Sequence, residues 1–514
     1  MTLAQAALDS VMLGRWQFGI TTVYHFVLVP LNIGLALLVA LMQTFWHKTG
    51  KQEWLHATRF FGKLLIISFA LGVSTGIVQE FQFGMNWSEY SRYVGDIFGA
   101  PLAVEALLAF FMESTFLGLW IFGFGRLKKG MHLATIWLVA IGTAVSAAWI
   151  LGANSWMQHP VGAKYDPEAG RAVLDGSMSF FKLLANPALI WEYTHVITTA
   201  WLAAGSLVAG ISIWWMVRAQ REGSEEATSQ AKNVWHPVAR FGLIVMLIGA
   251  LGVMGTGHFQ GQELVKLQPM KMAVAEGICV DTDGAAFTVA QFGSCPLDSS
   301  GEAPTKFIEI PGVASFMSHN DFSATSAGVA DEQARMVELL NSNADFTAKY
   351  GNAAHYNFVP PQMATFWSFR LMIGLGILSL IFALWGLWVT RKGTVPGSKS
   401  LSTMALINLP LPFLAATFGW IFTEIGRQPW VVVPNIAGLS NGDPVGSVML
   451  MTDTGISTAV PAGQVLATLI GFTLLYALLG VIWFLLMRRY VRAGIHTAKK
   501  TETDAPAGDL SFGY

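Results

Sequence analysis

Five side chains that can ligate iron or carry protons lie within apolar stretches of the sequence. They are two histidines, His25 and His195, two glutamates, Glu105 and Glu424, and Met372. Such groups are costly to place in hydrocarbon, so they usually mark a cofactor, an ion path or a buried partner. Because five of them occur on five separate apolar stretches, the sequence predicts a redox site that holds a cofactor.

Carboxylates in the same stretches could carry protons. Glu105 and Glu113 are separated on one predicted helix by about 12 Å along its axis and about 80° around it. Both can therefore face one interior side at successive depths, where positioned carboxylates act in proton transfer. The structural alternative is a pair of hydrogen-bonded carboxylates. Glu424 and Arg427 could likewise form an ordinary interfacial ion pair.

Nine apolar stretches must position these residues. The chain has 514 residues, of which 53% are hydrophobic and 12% are charged, about half the charged fraction of a soluble domain. Backbone groups in lipid must be hydrogen-bonded within their own segment, so the stretches are predicted to be helices. The sequence thus predicts an all-α polytopic membrane protein with nine transmembrane helices, at about 18–46, 60–80, 98–124, 132–153, 187–216, 237–257, 366–390, 404–424 and 464–487.

Lysine and arginine residues are concentrated in the loops that follow the odd-numbered helices. Because cytoplasmic loops carry the excess of positive charge, this alternation predicts an N-terminus outside and a cytoplasmic C-terminus. His25, Glu105, His195 and Met372 then lie about 6–10 residues, or roughly 9–15 Å, inside the outer ends of their helices. Glu424 lies at the same face. A net charge of −1 and the lack of a basic stripe give no indication of nucleic-acid binding.

A haem is the cofactor that these residue types favour. A lone histidine in a membrane helix is often a packing residue, and a methionine there normally fills the core. His195 and Met372 share a predicted depth, however, and a His/Met pair is a recognised ligation of an electron-transfer haem. Arg370 could bind a haem propionate through its guanidinium. No Cys-x-x-Cys-His run occurs, so any haem is predicted to be held non-covalently.

The longest hydrophilic stretch, about 258–365, is predicted to lie outside. It separates membrane segments at 1–257 and 366–496, and a disordered cytoplasmic tail is predicted at 497–514. Within the loop, the segment from Asp331 to Tyr350 favours an amphipathic helix. Lys271 and Glu276 are by default solvated surface charges. Cys279 and Cys295 are predicted to form a disulfide, with two free thiols as the alternative.

Several short runs of residues occur in order along the chain. They are Arg15-Trp16-Gln17-Phe18, Tyr24-His25-Phe26, Glu80-Phe81-Gln82-Phe83-Gly84 with Asn86-Trp87, Gly95-Asp96-Ile97-Phe98-Gly99-Ala100-Pro101-Leu102, Trp156-Met157-Gln158 and Gly426-Arg427-Gln428-Pro429-Trp430. In these runs the chain resembles subunit I of the cytochrome bd quinol oxidases, and the resemblance covers nearly its whole length.

The resemblance implies three non-covalent haems near the outer face: a low-spin haem b, a high-spin haem b and a haem d. His195 and Met372 resemble the axial pair of the low-spin haem. His25 and Glu424 resemble the ligands of the high-spin haems, and which haem each one binds stays open. Glu105 resembles the carboxylate at the oxygen-reducing haem.

Further roles follow from the same resemblance. Glu113 matches an acid on the proton route from the cytoplasm, and Lys271 and Glu276 match a quinol-binding pair. The cysteine pair is not a general feature of the family, so its role rests on the residues alone.

The function that the resemblance implies is a terminal oxidase of the bacterial inner membrane. Quinol is oxidised outside and O2 is reduced to water with cytoplasmic protons, which generates a proton motive force without a pump. The implied partners are a second large membrane subunit and, in addition, a small single-span subunit. One alternative is a proton-coupled secondary transporter that uses Glu105 and Glu113, which predicts broken helices, repeats and a colourless protein. Another is a haem-b membrane anchor of a dehydrogenase, which would not need Glu424 or the large loop.

Overall fold

The chain is mostly helical in a computed structural model, which describes residues 9–298 and 301–495. Within these residues nine helices are long and apolar enough to cross a membrane, as the hydropathy predicts. The predicted tail at 497–514 lies outside the described residues. We call the nine helices spans 1 to 9: Ser10–Thr49, Gln52–Gly84, Ser88–Gly123, Lys129–Gln158, Pro187–Glu222, Glu225–Leu267, Gln362–Val389, Lys399–Ile425 and Ala462–Ala493.

The helices extend beyond the apolar stretches that reveal them in the sequence. Span 1 begins after Asp9, whose side chain accepts a hydrogen bond from the backbone N–H of Val11, and it ends at Gly50 with φ 70°. These are the usual capping devices at the two ends of a helix. Span 6 continues to Leu267, past the predicted end at 257, because hydropathy detects only the apolar part of a helix that also has a polar end.

Three spans are interrupted. Span 3 contains a π-helical turn at Glu105–Phe110, and span 6 contains another at Ala231–Trp235. Span 8 consists of two helices, Lys399–Asn408 and Leu411–Ile425, with Pro410 between them. A π turn inserts extra backbone into a helix and often occurs at functional sites. Because Glu105 begins such a turn, the ideal α-helical angle between Glu105 and Glu113 does not apply.

Spans 5 and 6 pack closely at the centre of the membrane part. A Cβ atom added to Gly205 of span 5 would lie 2.7 Å from the backbone nitrogen of Met246. Added to Gly249 of span 6, it would lie 2.5 Å from the backbone nitrogen of Leu202. Small residues thus let the two backbones approach, as is common between membrane helices.

The spans differ in how far their most apolar part is buried within the protein. This share is 72% in span 5 but only 6% in span 9, so span 9 lies at the periphery.

Short strands also occur in the segments between the spans, so the described structure is mostly helical and not purely all-α. The described residues contain four two-stranded antiparallel sheets, β1–β2, β3–β6, β4–β5 and β7–β8. Strands of two to six residues leave too little alternation in the sequence to be recognised. They are β1 Ala163–Asp166, β2 Arg171–Leu174, β3 Thr282–Asp283, β4 Phe287–Phe292, β5 Thr305–Ile310, β6 Thr325–Ser326, β7 Trp430–Val432 and β8 Leu450–Met451.

Short helices complete the connecting segments. The predicted amphipathic helix from Asp331 to Tyr350 is divided into two helices, because Asn343 caps the second one by accepting a 2.8 Å hydrogen bond from the N–H of Phe346. The short helices are Ser179–Leu184, Pro269–Glu276, Val313–His319, Val329–Asn341, Ala344–Tyr350, Ile436–Asn441 and Thr452–Gly455. We call Pro269–Glu276, which follows span 6, the loop helix.

Candidate functional site

The two predicted histidine ligands each contact a threonine on a neighbouring span. The Nδ1 atom of His25 in span 1 lies 2.8 Å from the hydroxyl oxygen of Thr75 in span 2. The Nδ1 atom of His195 in span 5 lies 3.1 Å from the hydroxyl oxygen of Thr256 in span 6. Among the described residues, no hydrogen bond is made by Nε2 of either ring. Each imidazole therefore has one nitrogen fixed by the protein and the other available to a ligand.

Glycines face three of the predicted ligands. A Cβ at Gly76 would lie 3.3 Å from Cε1 of His25, and a Cβ at Gly257 would lie 3.1 Å from Cε1 of His195. A Cβ at Gly419 in span 8 would lie only 2.9 Å from the sulfur of Met372. Any larger residue at these positions would push against a ligand side chain, so the glycines determine where the ligands lie.

Met372 sits in an apolar cluster where three spans meet. It packs against a buried group that contains Phe369 of span 7 and Phe422 of span 8, and Leu264 of span 6 packs against the same group. Leu264 follows Gly257 by about two helical turns on the same span. The structure thus brings Met372 next to the helix that borders His195, although their side chains make no direct contact that the structure shows.

Glu424 ends span 8 and forms an ion pair with Arg427. Its other carboxylate oxygen accepts a 3.1 Å hydrogen bond from the amide of Asn154 in span 4. The Arg427 side chain is only 5% exposed, so this is not a solvated interfacial pair. Its Nε and Nη1 atoms are buried and have no hydrogen-bond partner in the described part of the chain. Unpaired guanidinium nitrogens of this kind are suited to a further anionic group.

Lys271 lies in the loop helix and is buried rather than solvated. Its ammonium group donates to the side-chain oxygen of Gln158 and to the carbonyl of Thr423, both at 3.1 Å, and lies 5.2 Å from the centre of the Phe422 ring. Burial lowers the pKa of Lys271, and the charge of Arg427 lowers it further. The loop lysine is therefore a component of the buried polar site next to Glu424.

Glu276 ends the loop helix and is paired with Arg370 of span 7. The guanidinium donates from Nη2 to the Glu276 carboxylate at 2.8 Å and from Nε to the carbonyl of Thr288 at 2.7 Å. Nη1 of Arg370 is buried without a partner among the described residues. The arginine that the sequence assigns to a propionate thus already binds one carboxylate and keeps one nitrogen for another acceptor.

Glu105 and Glu113 have different environments on span 3. The hydroxyl of Ser146 in span 4 donates to Glu105 at 2.7 Å. Glu113 is buried against Gly142 of span 4, where an added Cβ would lie 2.7 Å from its Cγ atom. Its Oε1 atom has no hydrogen-bond partner within the residues that the structure describes. Glu80 of span 2 is close enough to Glu105 for their charges to interact.

Cys279 and Cys295 are joined by a disulfide in the structure. The bond lies in an apolar cluster with Met270 and Val274 of the loop helix. The backbone N–H and C=O of Cys295 are both hydrogen-bonded to the side chain of Gln362, at 2.7 and 3.0 Å. The disulfide therefore connects the loop helix to the first residue of span 7.

Sequence reasoning missed a further buried carboxylate, that of Glu192 of span 5. It is 7% exposed, its Oε2 atom has no partner in the described structure, and its charge interacts with those of Lys271, Arg427 and Glu424. The signal was available, because Glu192 is an ionisable residue within the same apolar stretch as His195. Gln158 is marked in the sequence only as part of the run Trp156-Met157-Gln158. The two threonines gave no signal, since single neutral polar residues are common in membrane helices.

The structure thus produces one buried polar cluster, which contains Glu192, Lys271, Glu424 and Arg427, next to the Glu276–Arg370 pair. His25, His195 and Met372 each meet a different neighbouring span, and all three lie toward the side of the membrane part that carries the loop helix. The two imidazoles, the Met372 thioether and the Glu424 carboxylate are possible iron ligands. The guanidinium groups of Arg370 and Arg427 have unpaired nitrogens that could bind anionic groups of a cofactor.

Comparisons with known proteins agree over nearly the whole chain. The family model "Cytochrome bd terminal oxidase subunit I" matches residues 13–495. Cytochrome bd ubiquinol oxidase subunit 1 of Bacillus subtilis (strain 168) is 39% identical, over 95% of this chain and 94% of the relative. Cytochrome bd-II ubiquinol oxidase subunit 1 of Escherichia coli (strain K12) is 34% identical, over 95% and 97%. The solved bd oxidase of Geobacillus thermodenitrificans has a similar fold, with a TM-score of 0.75 at 23% identity and with 95% and 99% of the two chains covered.

Proposed function

The chain belongs to the cytochrome bd terminal oxidase subunit I family, and we propose that it oxidises quinol on the loop-helix side and reduces O2 to water. Family membership makes it a haem-containing, multi-pass membrane oxidoreductase of electron transport. The observation that carries the finer proposal is the placement of His25, His195, Met372 and Glu424 toward one side of the spans. Oxidation of two quinols delivers four electrons and releases four protons on the loop-helix side, and reduction of one O2 to two waters uses those four electrons and takes up four protons from the other side.

We assign the ligands as follows. His195 and Met372 hold a low-spin haem b, and His25 and Glu424 hold a high-spin haem b and a haem d. When bound, the haems supply one-electron transfer and the reduction of O2. Glu105 provides a carboxylate at the oxygen-reducing haem.

The protein around these ligands suits a haem. The glycines beside the imidazole rings and the methionine sulfur leave space at the ligands. The unpaired nitrogens of Arg370 and Arg427 can bind propionates.

Protons for O2 reduction reach the site through span 3. Glu113 lies on the far side of the π turn from Glu105, closer to the end of span 3 that has basic residues after it. It has an unpaired carboxylate oxygen, so it can accept a proton or a water molecule. Glu105, held by Ser146, is the next carboxylate along the span. Proton uptake from one side and proton release by quinol on the other generate the proton motive force without a pump.

Quinol binds near the loop helix. Only one oxygen of Glu276 binds Arg370 in the structure, so the other can accept a hydrogen bond from a quinol hydroxyl. Lys271 provides a buried donor a few residues earlier on the same helix. Because both side chains are buried, quinol access requires the loop helix to shift from its position in the structure.

The chain works within a larger complex in the bacterial inner membrane. As a subunit I it requires a partner subunit, which we propose is a second large membrane protein, with a small single-span subunit as a further component. We propose that the N-terminus is outside and the C-terminus is cytoplasmic. Single cysteines introduced as Lys48→Cys and Glu168→Cys test this orientation. A membrane-impermeant maleimide applied to intact cells should label only Glu168→Cys, and the reverse pattern would invert the topology.

An absorption spectrum with an oxygen-uptake assay tests the function as a whole. The purified complex should show reduced-minus-oxidised bands of b-type and d-type haems and should consume O2 when a quinol is added. His195→Ala should remove the low-spin haem band. The control is His47→Ala, which changes an exposed histidine near the C-terminal end of span 1 and should leave the spectrum unchanged. A colourless complex that takes up no O2 would refute the oxidase and favour the proton-coupled transporter.

A further inference from the structure

The same pair of residues, threonine followed by glycine, borders both predicted histidine ligands. Thr75-Gly76 of span 2 faces His25, and Thr256-Gly257 of span 6 faces His195. In each case the threonine hydroxyl contacts the Nδ1 atom of the ring. The glycine has no side chain, and this allows the ring to lie against the backbone of the neighbouring helix. Two different helix pairs therefore hold an imidazole in the same way.

The hydroxyl protons of both threonines are already used within their own helices. Thr75 donates to the carbonyls of Leu71 and Gly72, each at 3.0 Å. Thr256 donates to the carbonyl of Gly252 at 2.8 Å. A hydroxyl has one proton to donate and two lone pairs with which to accept. With the hydroxyl proton directed to the carbonyl, the threonine oxygen faces each histidine as an acceptor, and this arrangement favours a proton on Nδ1 of the ring.

The glycines restrict the position of the ring. A Cβ at position 76 would lie 3.3 Å from Cε1 and 3.7 Å from Nε2 of His25. A Cβ at position 257 would lie 3.1 Å from Cε1 and 3.4 Å from Nδ1 of His195. These distances are at or below ordinary van der Waals contact, so a side chain at either position would crowd the ring, and glycine lets the ring lie this close to the neighbouring helix. Flipping the ring would bring a carbon to the threonine oxygen and lose the hydrogen bond.

We propose that Thr75 and Thr256 are positioning residues that keep His25 and His195 in the tautomer with the proton on Nδ1, so that Nε2 presents its lone pair to a haem iron. This inference rests on the ligand roles assigned under the proposed function. A hydrogen bond at Nδ1 also makes the imidazole a more basic ligand. A more basic ligand stabilises ferric over ferrous iron, so each threonine lowers the reduction potential of the haem that its histidine binds.

Isosteric variants test the two threonines separately. Thr256→Val and Thr75→Val keep the shape of the side chain and remove the acceptor, whereas Thr256→Ser and Thr75→Ser retain it. The controls are Thr194→Val and Ser74→Ala, whose hydroxyls, within the described part of the chain, bond only to carbonyls of their own helices. Each purified complex is titrated spectroelectrochemically, and its haem content is measured by pyridine haemochromogen.

We expect Thr256→Val to raise the midpoint potential of the low-spin haem alone, and Thr75→Val to raise that of one high-spin haem alone. The serine variants and both controls should have wild-type potentials at full haem content. If a valine variant loses its haem, the serine variant decides: retention of haem at the wild-type potential supports the proposal, and a serine variant as defective as the valine variant overturns it. Full haem content with an unchanged potential in the valine variants also overturns it.

The failure of the ligand assignment would look different. If His195→Ala retains the low-spin haem band, or His25→Ala retains both high-spin bands, the histidine is not the ligand and the proposed function is wrong at that site. If the histidine variants lose the bands while the threonine variants leave every potential unchanged, the ligand assignment stands and only the role of the threonines fails.

Discussion

Arg370 of span 7 donates to Glu276 of the loop helix across 2.8 Å, and both side chains are at most 5% exposed. The same guanidinium donates to the carbonyl of Thr288 in β4. One buried arginine therefore fixes the loop helix and a strand of the loop to a membrane span. The quinol-binding region that we propose is positioned by this contact, so the contact provides a direct test of how the loop supports the site.

Removal of the charge on Glu276 should destabilise the loop. Glu276→Gln keeps the shape of the side chain but leaves the Arg370 charge buried without a counter-ion, which typically costs about 3–5 kcal/mol. We expect a lower midpoint of thermal unfolding and slower quinol oxidation. Electron transfer from an artificial donor that reduces the haems directly should be largely retained.

The matched control for this variant is Glu89→Gln. Glu89 pairs with Arg92 at 2.8 Å, but Arg92 is 70% exposed, and such surface pairs contribute about 0–1 kcal/mol. Equal unfolding midpoints for Glu276→Gln and Glu89→Gln would contradict the structural role of the buried pair.

Met372 can be tested as a haem ligand by Met372→Leu. The exchange nearly conserves volume and usually costs less than about 1.5 kcal/mol of stability, so the fold should be kept. Loss of the thioether should convert the low-spin haem to a high-spin form, visible in the reduced-minus-oxidised spectrum. Met216→Leu, at a fully buried methionine near the other end of span 5, controls for packing. A wild-type spectrum of Met372→Leu would remove Met372 as a ligand.

Much of the membrane fold could be predicted from the sequence, because long apolar stretches have few structures available to them in lipid. All nine spans coincide with predicted helices. The sequence did not reveal the π turn at Glu105, because such a turn results from packing against neighbouring helices and not from residue type. It also did not reveal the strands of the loop, which are too short to produce a pattern.

The candidate site was only partly predictable for a similar reason. His25, His195 and Glu424 stand out as single residues that are expensive to bury. By composition Lys271 and Glu276 are ordinary loop charges, since nothing in the local sequence indicates that the loop helix is covered by spans 7 and 8. Contacts such as Lys271 with Gln158 join residues far apart in the chain, and only the three-dimensional packing specifies them.

Loss of the disulfide should loosen the loop without affecting the haems. Mass spectrometry of peptides prepared without reduction should find Cys279 linked to Cys295. Replacement of both cysteines by serine removes a closure of roughly 15 residues, worth around 3 kcal/mol in the chain-entropy description. We expect faster proteolysis within 258–365 and unchanged haem spectra. Quantitative alkylation of both thiols in the unreduced protein would show that no disulfide forms.

Proton transfer through span 3 can be dissected with Glu113→Gln and Glu105→Gln. Glutamine keeps the shape of the side chain but cannot titrate, so a proton route through Glu113 would be interrupted. Glu113→Gln should therefore slow O2 reduction and voltage generation, while quinol still reduces the low-spin haem at a near-normal rate. Glu105→Gln should in addition change the high-spin haem spectrum, because we place this carboxylate at the oxygen-reducing haem.

Ser146→Ala separates the carboxylate from its hydrogen bond. The Ser146 hydroxyl donates to Glu105 at 2.7 Å. Loss of this hydroxyl should weaken the contribution of Glu105 to O2 reduction, and it should leave proton transfer through Glu113 unaltered. Stopped-flow reduction by quinol and oxygen-pulse kinetics distinguish the three variants, because they report electron entry and proton-coupled O2 reduction separately. If Glu113→Gln turns over at the wild-type rate, Glu113 is a structural carboxylate packed against Gly142, and protons must reach the site by another route.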